Sequence, residues 1–232
     1  MILFHIHIIM NTTPILISID GNIGSGKSTL LENLKEYYKN NDNVVFLKEP
    51  VDEWQTIRDE NGISILQKFY TDQDKYAFPF QMMAYISRLK ILKDAFNHCN
   101  SNNTIYITER SLFTDKMVFA KMLYDNGKME EINYQIYIKW FDVFANEYPL
   151  HKVIYVKTDP IKCYSRIHTR ARPGEEIIQL DYLIKCNNYH DDMINHWPSQ
   201  KIILDGNIDI HQNHTIYNNY LTQINEFITN NE

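Results

Sequence analysis

Five short runs of apolar and β-branched residues recur along the chain, and longer stretches of mixed polar and apolar residues separate them. The runs cover residues 14–19, 44–47, 104–108, 152–157 and 201–204. Such lengths are typical of buried strands, whereas the stretch after the first run repeats leucine and tyrosine at helical spacing. Strands that alternate with helices predict a parallel sheet covered by helices, which is an α/β fold. Ligands of such folds bind at the carboxyl ends of the strands, so the residues that follow each run are the functional candidates.

The composition argues against several functional classes for a protein of this fold. The chain has 232 residues, is 44% hydrophobic and carries a formal net charge of −6. That mild acidity argues against nucleic-acid binding through overall positive charge, and no apolar run approaches the roughly 20 residues of a membrane span. Cys99, Cys163 and Cys186 form no CxxC pair and fit reduced thiols. We therefore expect a cytoplasmic protein with no nucleic-acid partner and no membrane partner.

Residues 1–13 are expected to lie outside the folded domain. The first nine residues are apolar but lack the basic segment and the cleavage site of a signal peptide. They form either a short terminal strand or tail, or a segment that precedes a translation start at Met10, and we favour the second interpretation. Residues 14–232 are predicted to form one domain.

A phosphate-binding loop follows the first predicted strand. Residues 21–29 read GNIGSGKST and match the G-x-x-x-x-G-K-[ST] pattern between a strand and a helix. The glycines let backbone N–H groups turn around phosphate oxygens, while Lys27 could reach the outer phosphates and Ser28 could bind Mg²⁺. The residues expected to bind the triphosphate are Gly21, Asn22, Ile23, Gly24, Ser25, Gly26, Lys27, Ser28 and Thr29.

The loop indicates a nucleoside triphosphate but not the acceptor of its phosphate. The chain lacks the NKxD motif that reads guanine in small GTPases. The third predicted strand ends in Glu109, where such proteins have a Walker-B aspartate. Both observations argue against a GTPase switch.

Four further motifs point to the acceptor. They are EPVDEW at residues 49–54, FPFQ at residues 78–81, ERS at residues 109–111 and RIHTRARPGEE at residues 166–176. Together with the phosphate-binding loop, they occur in the order found in the deoxyribonucleoside kinase family, which the chain resembles from about residue 14 to its end. The resemblance implies a three-layer P-loop kinase fold with a five-stranded parallel sheet flanked by helices. It also implies an arginine-rich lid at about residues 166–176, and we expect FPFQ to open a helix.

The implied reaction transfers the γ-phosphoryl group of ATP to the 5′-hydroxyl group of a 2′-deoxyribonucleoside, in nucleotide salvage, with Mg²⁺ as cofactor. Its transition state spreads negative charge over the transferred oxygens, so positioning and cations do most of the work. By the resemblance, Glu49 accepts the hydroxyl proton, Arg110 holds Glu49 and the 5′-oxygen, and Glu109 binds Mg²⁺ through water. The cations expected to neutralise the transferred charge are Lys27, Arg166, Arg170 and Arg172.

The resemblance also assigns residues to the nucleoside. Tyr70 and a glutamate of the lid would contact the 3′-hydroxyl group. Alignment of the lid places that glutamate at Glu175, and a shift of one residue would place it at Glu176. The residues expected to enclose the base or to read its edge are Trp54, Phe80, Gln81 and Phe119.

Arg88 and Asp115 are expected to determine the choice of base. Arg88 follows Gln81 by seven residues on the same predicted helix, and Asp115 lies at the start of the next helix. The resemblance pairs them across the base edge, as in deoxycytidine and deoxyguanosine kinases. Thymidine-preferring relatives have smaller or apolar residues there, which leave room for the 5-methyl group. We therefore expect deoxycytidine or a purine deoxynucleoside to be preferred over thymidine.

Two further expectations come from the resemblance. The turn after the fifth strand, with Asp205 and Asn207, would pack near the adenine of ATP. Family members are typically homodimers, and residues 115–124 and 134–144 are apolar enough for an interface or, equally, for a core.

Other interpretations remain open. A nucleoside monophosphate kinase, such as thymidylate kinase, would share the loop and the lid, but Glu49 would repel the acceptor's 5′-phosphate. An inactive nucleotide-binding module would be signalled by loss of Lys27, Glu49 or Arg110, and all three are present. Glu49 could also be an exposed carboxylate, the Glu109–Arg110 and Arg88–Asp115 pairs could be structural, and the aromatic residues could belong to the core.

Overall fold

Five parallel strands form the centre of the fold. The structure is a computed structural model that describes residues 14–99, 103–210 and 213–230, so the expected extension at residues 1–13 lies outside the described residues. The strands are β1 (Ile15–Asp20), β2 (Val44–Leu47), β3 (Ile105–Glu109), β4 (Lys152–Lys157) and β5 (Gln200–Asp205). They pair in the order β2-β3-β1-β4-β5, which confirms the predicted parallel sheet. The strand order reverses beside β1, where ligands of such folds bind.

Helices connect the strands and cover both faces of the sheet. They are α1 (Lys27–Tyr37), α2 (Val51–Thr56), α3 (Ile65–Thr71), α4 (Gln73–Asn97), α5 (Leu112–Thr114), α6 (Lys121–Asp125), α7 (Glu131–Phe144), α8 (Pro160–Arg170), α9 (Leu180–Asn195) and α10 (His214–Thr229). A π-helical segment, Asp115–Ala120, joins α5 to α6, and a 3₁₀ turn, Ala145–Glu147, follows α7.

Alternation along β1 divides the core into two layers. Ile17 and Ile19 pack on one face of the sheet with leucines and isoleucines of α1 and α10. Leu16 points to the other face, where it joins residues of α4, α7, α8 and α9. Because side chains alternate along a strand, Ser18 and Asp20 share the face of Leu16. This face carries polar groups directly before the phosphate-binding loop.

One of the two predicted helix starts is wrong. FPFQ does not open a helix, because α4 begins at Gln73, where the Asp72 carboxylate accepts a hydrogen bond from the Lys75 N–H group. Pro79 therefore lies inside α4 and has no N–H group to donate to the carbonyl of Lys75. Asp115 does lie near the start of its helix, because α5 begins at Leu112 after the N-cap residue Ser111 and the π-helical segment begins at Asp115.

The three cysteines, all of which the structure describes, form no disulfide bond, and two of them, Cys163 on α8 and Cys186 on α9, are buried in the core. Burial raises the pKa of Cys163 to about 11 and that of Cys186 to about 12. Within the described ranges, no helix combines the length and the apolar character needed to cross a membrane. The cytoplasmic location stays a prediction.

Candidate active site

A cavity of about 350 Å³ lies at the carboxyl ends of β1, β2 and β3. It is bounded by the phosphate-binding loop, by α2, α3 and α4, and by the lid, residues 166–176. The predicted residues that line it are Ile23, Gly24, Gly26, Lys27, Ser28, Thr29, Glu49, Trp54, Tyr70, Phe80, Gln81, Arg88, Glu109, Arg110, Asp115, Phe119, Arg166, Arg170, Arg172 and Glu175. Most of the residues singled out from the sequence are therefore brought together around one cavity.

The phosphate-binding loop wraps around the start of α1. A Cβ atom on Gly21, which has φ 149°, would lie 2.6 Å from the carbonyl oxygen of Val156, so the loop requires glycine there. Lys27 Nζ donates a 2.6 Å hydrogen bond to the carbonyl oxygen of Asn22, whose side chain is held by Leu183. Burial lowers the pKa of Lys27 to about 8, with a smaller contribution from the Arg110 guanidinium. A phosphate in the loop would restore the preference of Lys27 for its charged form.

Ser28 and Glu109 meet where β3 ends beside the phosphate-binding loop. Ser28 Oγ donates a 2.8 Å hydrogen bond to Glu109 Oε1. Among the described residues, no group of three or more His, Cys, Asp or Glu could hold a metal ion by itself. Mg²⁺ keeps several waters and phosphate oxygens as ligands, so one hydroxyl and one carboxylate suit it.

Four charged side chains form what we call the buried charge network: Glu49, Arg88, Arg110 and Asp115. Arg110 Nη1 donates to both oxygens of Glu49, at 2.7 and 2.9 Å. Arg88 Nη2 donates to Glu49 at 3.0 Å, and Arg88 Nε donates to Asp115 at 2.8 Å. The four side chains are between 2% and 10% exposed.

The network controls the ionisation of its members. Burial alone would raise the pKa of Glu49, but Arg110, Arg88 and Lys27 lower it to about 2. Burial would lower the pKa of Arg88, but Asp115 and Glu49 raise it. Glu49 is therefore an ionised, oriented acceptor at neutral pH.

Arg110 has an unusual backbone conformation. It follows β3 with φ 61°, in the left-handed region that non-glycine residues rarely adopt. Its N–H group donates a 3.0 Å bond to the carbonyl oxygen of Ile19, and its guanidinium lies 5.1 Å from the ring centre of Phe119. Strain of this kind costs about 1–3 kcal/mol and often accompanies functional sites. Here it directs the guanidinium into the cavity.

Aromatic side chains form the walls beside the network. Trp54 Nε1 donates a 2.8 Å hydrogen bond to Ser87 Oγ, and the Trp54 ring packs edge-on against Phe80. Gln81 is buried, and its Oε1 has no hydrogen-bond partner among the described residues. An unpaired amide oxygen at a cavity wall is available to a ligand donor.

The π-helical segment presents two predicted residues to the cavity. Asp115 is its first residue and Phe119 its fifth, and both line the cavity. π-Helical turns are rare and occur frequently at functional sites. The segment therefore places the Arg88 partner and a wall residue side by side.

The lid comprises the last residues of α8, from Arg166 to Arg170, and the turn that follows them. Arg166 Nη1 donates a 3.2 Å hydrogen bond to the carbonyl oxygen of Ser25 in the phosphate-binding loop. Arg170 and Arg172 both pair with the Glu175 carboxylate. Glu175 lines the cavity, whereas Glu176 is exposed and accepts a 2.6 Å hydrogen bond from the Gly174 N–H group. This placement favours Glu175 over Glu176 as the sugar ligand.

A second cavity of about 260 Å³ adjoins the outer side of the phosphate-binding loop. Asp205, Gly206 and Tyr220 line it together with Ser25 of the loop. Asn207 is not among its lining residues, because its side chain bonds the N–H group of Asp159 and the Asp205 carboxylate. Asn207 therefore shapes the turn, while Asp205 borders the cavity.

Sequence reasoning missed two polar residues of the site. Tyr182 of α9 lines the cavity and packs edge-on against Tyr70. Asp20 is fully buried before the phosphate-binding loop, where Ser18 Oγ and Thr114 Oγ1 donate to it. Burial raises the pKa of Asp20. A charged residue that ends an otherwise apolar strand was the available signal for Asp20, whereas Tyr182 offered no comparable signal.

Comparison with known proteins identifies the family. The sequence model of the deoxynucleoside kinase domain matches residues 17–229. This chain belongs to the deoxynucleoside kinase family. The predicted resemblance is thereby confirmed, and the protein is a kinase of the three-layer α/β class.

Named relatives include viral and vertebrate kinases. A probable deoxycytidine kinase of fowlpox virus is 38% identical over 178 residues, which are 75% of this chain and 69% of the relative. Deoxycytidine kinase of Bos taurus is 33% identical over 198 residues, 78% of this chain and 75% of the relative. Mitochondrial thymidine kinase 2 of Homo sapiens is 29% identical over 182 residues, 77% of this chain and 64% of the relative. These relatives agree on the family, but two are named for deoxycytidine and one for thymidine.

Proposed function

We propose that this deoxynucleoside kinase transfers the γ-phosphoryl group of ATP to the 5′-hydroxyl group of a 2′-deoxynucleoside. The observation that carries the proposal is Glu49, a carboxylate held by Arg88 and Arg110 inside the cavity that the phosphate-binding loop borders. This arrangement suits an acceptor that brings a hydroxyl proton and no charge.

The charge balance at the acceptor end favours a nucleoside over a nucleoside monophosphate. The buried charge network contains two carboxylates, Glu49 and Asp115, and two guanidinium groups, Arg88 and Arg110, so its formal charges cancel. Beside this network, a monophosphate would bring about two negative charges to groups whose own charges already cancel, which is costly. A neutral deoxynucleoside avoids this cost.

Glu49 acts as the proton acceptor and Arg110 orients it. A pKa of about 2 makes Glu49 a weak base but keeps it ionised. In a loose transition state the hydroxyl proton is transferred late, so an oriented carboxylate that accepts a hydrogen bond is sufficient until the phosphoryl group arrives. Lys27 binds the outer phosphates, and Arg166, Arg170 and Arg172 neutralise the developing charge.

Mg²⁺ would be held by Ser28 directly and by Glu109, with phosphate oxygens and water completing its shell. When bound, it neutralises phosphate charge and aligns the triphosphate. The second cavity, bordered by Asp205 and Gly206, would receive the adenine of ATP.

We infer that deoxycytidine or a purine deoxynucleoside is preferred over thymidine. Arg88 and Asp115 form a buried pair beside Gln81 and line the same cavity, where they would crowd a 5-methyl group. The deoxycytidine kinases among the relatives support this preference. Because the chain is also similar to mitochondrial thymidine kinase 2, this preference must be tested directly.

We also propose a homodimer. Ile132, Ile136, Trp140 and Val143 lie on one face of α7 at helical spacing and are 38–69% exposed, and Ile86 of α4 is 54% exposed. Exposed apolar faces of this kind mark interaction sites. Light scattering during gel filtration should give twice the chain mass of 27.7 kDa. Trp140→Glu should shift the mass toward that of one chain, and a monomeric wild-type protein would contradict the proposal.

A direct assay tests the proposed reaction. Purified protein would be incubated with Mg²⁺·ATP and either a deoxynucleoside or the matching 5′-monophosphate, for cytosine, adenine, guanine and thymine. We expect deoxynucleosides to give 5′-monophosphates and monophosphates to give no diphosphates. Turnover of the monophosphates alone would support a nucleoside monophosphate kinase and remove the role of Glu49.

A further inference from the structure

One carboxylate of the lid holds two cations. Arg170 Nη2 and Arg172 Nη1 both donate to Glu175, and the second bond is 3.0 Å long. The Glu175 side chain is 5% exposed, whereas the two arginine side chains are 35% and 30% exposed. All three line the cavity beside Lys27. Glu175 therefore retains cations that the proposed reaction requires at the triphosphate.

The backbone of the lid fixes this pairing. Helix α8 ends at Arg170, Ala171 has φ 50°, and the Glu175 N–H group donates a 3.0 Å bond to the carbonyl oxygen of Arg172. A Cβ atom on Gly174 would lie 3.2 Å from Gln67 Cβ, so the lid packs closely against α3. The same helix carries Tyr70. Burial raises the pKa of Tyr70, and the nearby Glu175 charge raises it further.

Ligands on the two sides of Glu175 would compensate each other. If Arg170 and Arg172 turn toward a triphosphate, the buried Glu175 carboxylate loses its cationic partners. A buried charge without partners is costly, so another donor must replace them. The 3′-hydroxyl group of a deoxynucleoside is such a donor. Conversely, a 3′-hydroxyl group that bonds Glu175 weakens its hold on the arginines.

On the basis of the proposed function, we propose that Glu175 is a positioning residue as well as a sugar ligand. Its carboxylate exchanges Arg170 and Arg172 for the 3′-hydroxyl group, and the arginines are thereby released toward the triphosphate. Nucleoside and triphosphate then strengthen each other's binding by the same factor. The 3′-hydroxyl group would thus strengthen triphosphate binding through the lid, in addition to making its own contact with Glu175.

The first test uses the unmodified protein. Calorimetry would measure the Kd of the best deoxynucleoside substrate and of its 2′,3′-dideoxy analogue, each with and without Mg²⁺ and a non-hydrolysable ATP analogue. We expect the ATP analogue to tighten deoxynucleoside binding by about fivefold or more, and dideoxynucleoside binding by less than about twofold. Equal factors for the two nucleosides would overturn the proposal.

The second test removes the charge of Glu175. In Glu175→Gln, the coupling factor should fall to within about twofold of unity for both nucleosides. Asp181→Asn, which neutralises an exposed carboxylate of α9, should keep the wild-type factor. Wild-type coupling in Glu175→Gln would contradict the proposal. Thermal unfolding shows whether Glu175→Gln folds, and the wild-type comparison decides the question if it does not.

The two proposals fail in different ways. A wild-type protein that phosphorylates deoxynucleosides but binds the two ligands independently would refute the role of Glu175 alone. A protein that phosphorylates no deoxynucleoside would refute the proposed function, whatever its coupling factor.

Discussion

The acceptor side and the lid contain similar charged groups in opposite settings. In the buried charge network, Arg88 and Asp115 are 2% and 3% exposed, and each charge has an opposite partner before any ligand arrives. In the lid, Arg170 and Arg172 are 35% and 30% exposed and share a single carboxylate. Under the proposed function, the network is assembled before the nucleoside binds, whereas the lid holds cations that turn toward the triphosphate. Burial would then distinguish the groups that stay fixed from the groups that move.

The largest expected effect is a loss of kcat on substitution in the buried charge network. Glu49→Gln should reduce kcat by about 10²–10⁴-fold with a smaller change in KM, because it removes the proton acceptor but keeps its shape. Steady-state kinetics with the best deoxynucleoside would measure this. Glu53→Gln, an exposed neutral substitution in the same motif, should retain wild-type kcat. A loss of less than tenfold in Glu49→Gln would show that Glu49 is not the proton acceptor.

Breaking the Arg88–Asp115 pair should lower the free energy of unfolding, in addition to any effect on base preference. Arg88→Met leaves a buried Asp115 carboxylate without its partner, so the free energy of unfolding should fall by about 3–5 kcal/mol. Arg88→Met with Asp115→Ala should recover much of this loss, because no unpaired charge remains. Urea unfolding would measure both variants.

The double variant also tests the role of the pair in base choice. It should gain activity with thymidine relative to deoxycytidine, because space opens for the 5-methyl group. An unchanged ratio of the two kcat/KM values would make the pair purely structural.

In the lid, we expect the opposite pattern, with a large loss of activity and a small loss of stability. Arg170→Gln should reduce kcat by roughly ten- to a hundredfold, because a transition-state cation is lost. Its free energy of unfolding should change by less than about 1 kcal/mol, since the Arg170 side chain is 35% exposed and the Glu175 carboxylate keeps Arg172 as its partner. Lys185→Gln in the neighbouring exposed part of α9 is the matched control. A stability loss as large as that of Arg88→Met would contradict the contrast between the two regions.

The smallest expected effect is a pH dependence of triphosphate binding. Lys27 has a pKa of about 8 in the free protein, so it is charged below that pH and must take up a proton to bind phosphate above it. The Kd of a non-hydrolysable ATP analogue should rise by up to about tenfold per pH unit above pH 8. Deoxynucleoside binding, which depends on the ionised Glu49, should stay constant there. A flat Kd for the ATP analogue from pH 7 to 9.5 would refute this role of the Lys27 pKa.

Much of the fold could be predicted because strand and turn signals are local. The apolar runs that predicted β2 and β4 match those strands residue for residue, and the glycine pattern of residues 21–29 requires a strand before it and a helix after it. The site residues could be predicted to lie together because parallel strands bring their carboxyl ends to one edge of the sheet. Glu49 and Arg110 therefore meet although 61 residues separate them.

Other features depend on tertiary packing and left no local signal. FPFQ was expected to open a helix, but α4 continues through Pro79 despite the missing hydrogen bond. The π-helical segment and the positive φ of Arg110 violate local preferences and are imposed by the surrounding structure. The pairing of Glu175 with Arg170 and Arg172 requires the turn at residues 171–175. Roles of the individual site residues stay predictions until they are tested.

The most direct test of the account is a competition among all four deoxynucleosides in one reaction. Equal concentrations of deoxycytidine, deoxyadenosine, deoxyguanosine and thymidine would be incubated with Mg²⁺·ATP, and the early products would be quantified, since their ratio equals the ratio of kcat/KM values. We expect thymidine monophosphate to be a minor product, at least about tenfold below the main one, because one extra methyl group that does not fit a pocket costs about 1–3 kcal/mol. Thymidine monophosphate as the main product would contradict the role of the Arg88–Asp115 pair.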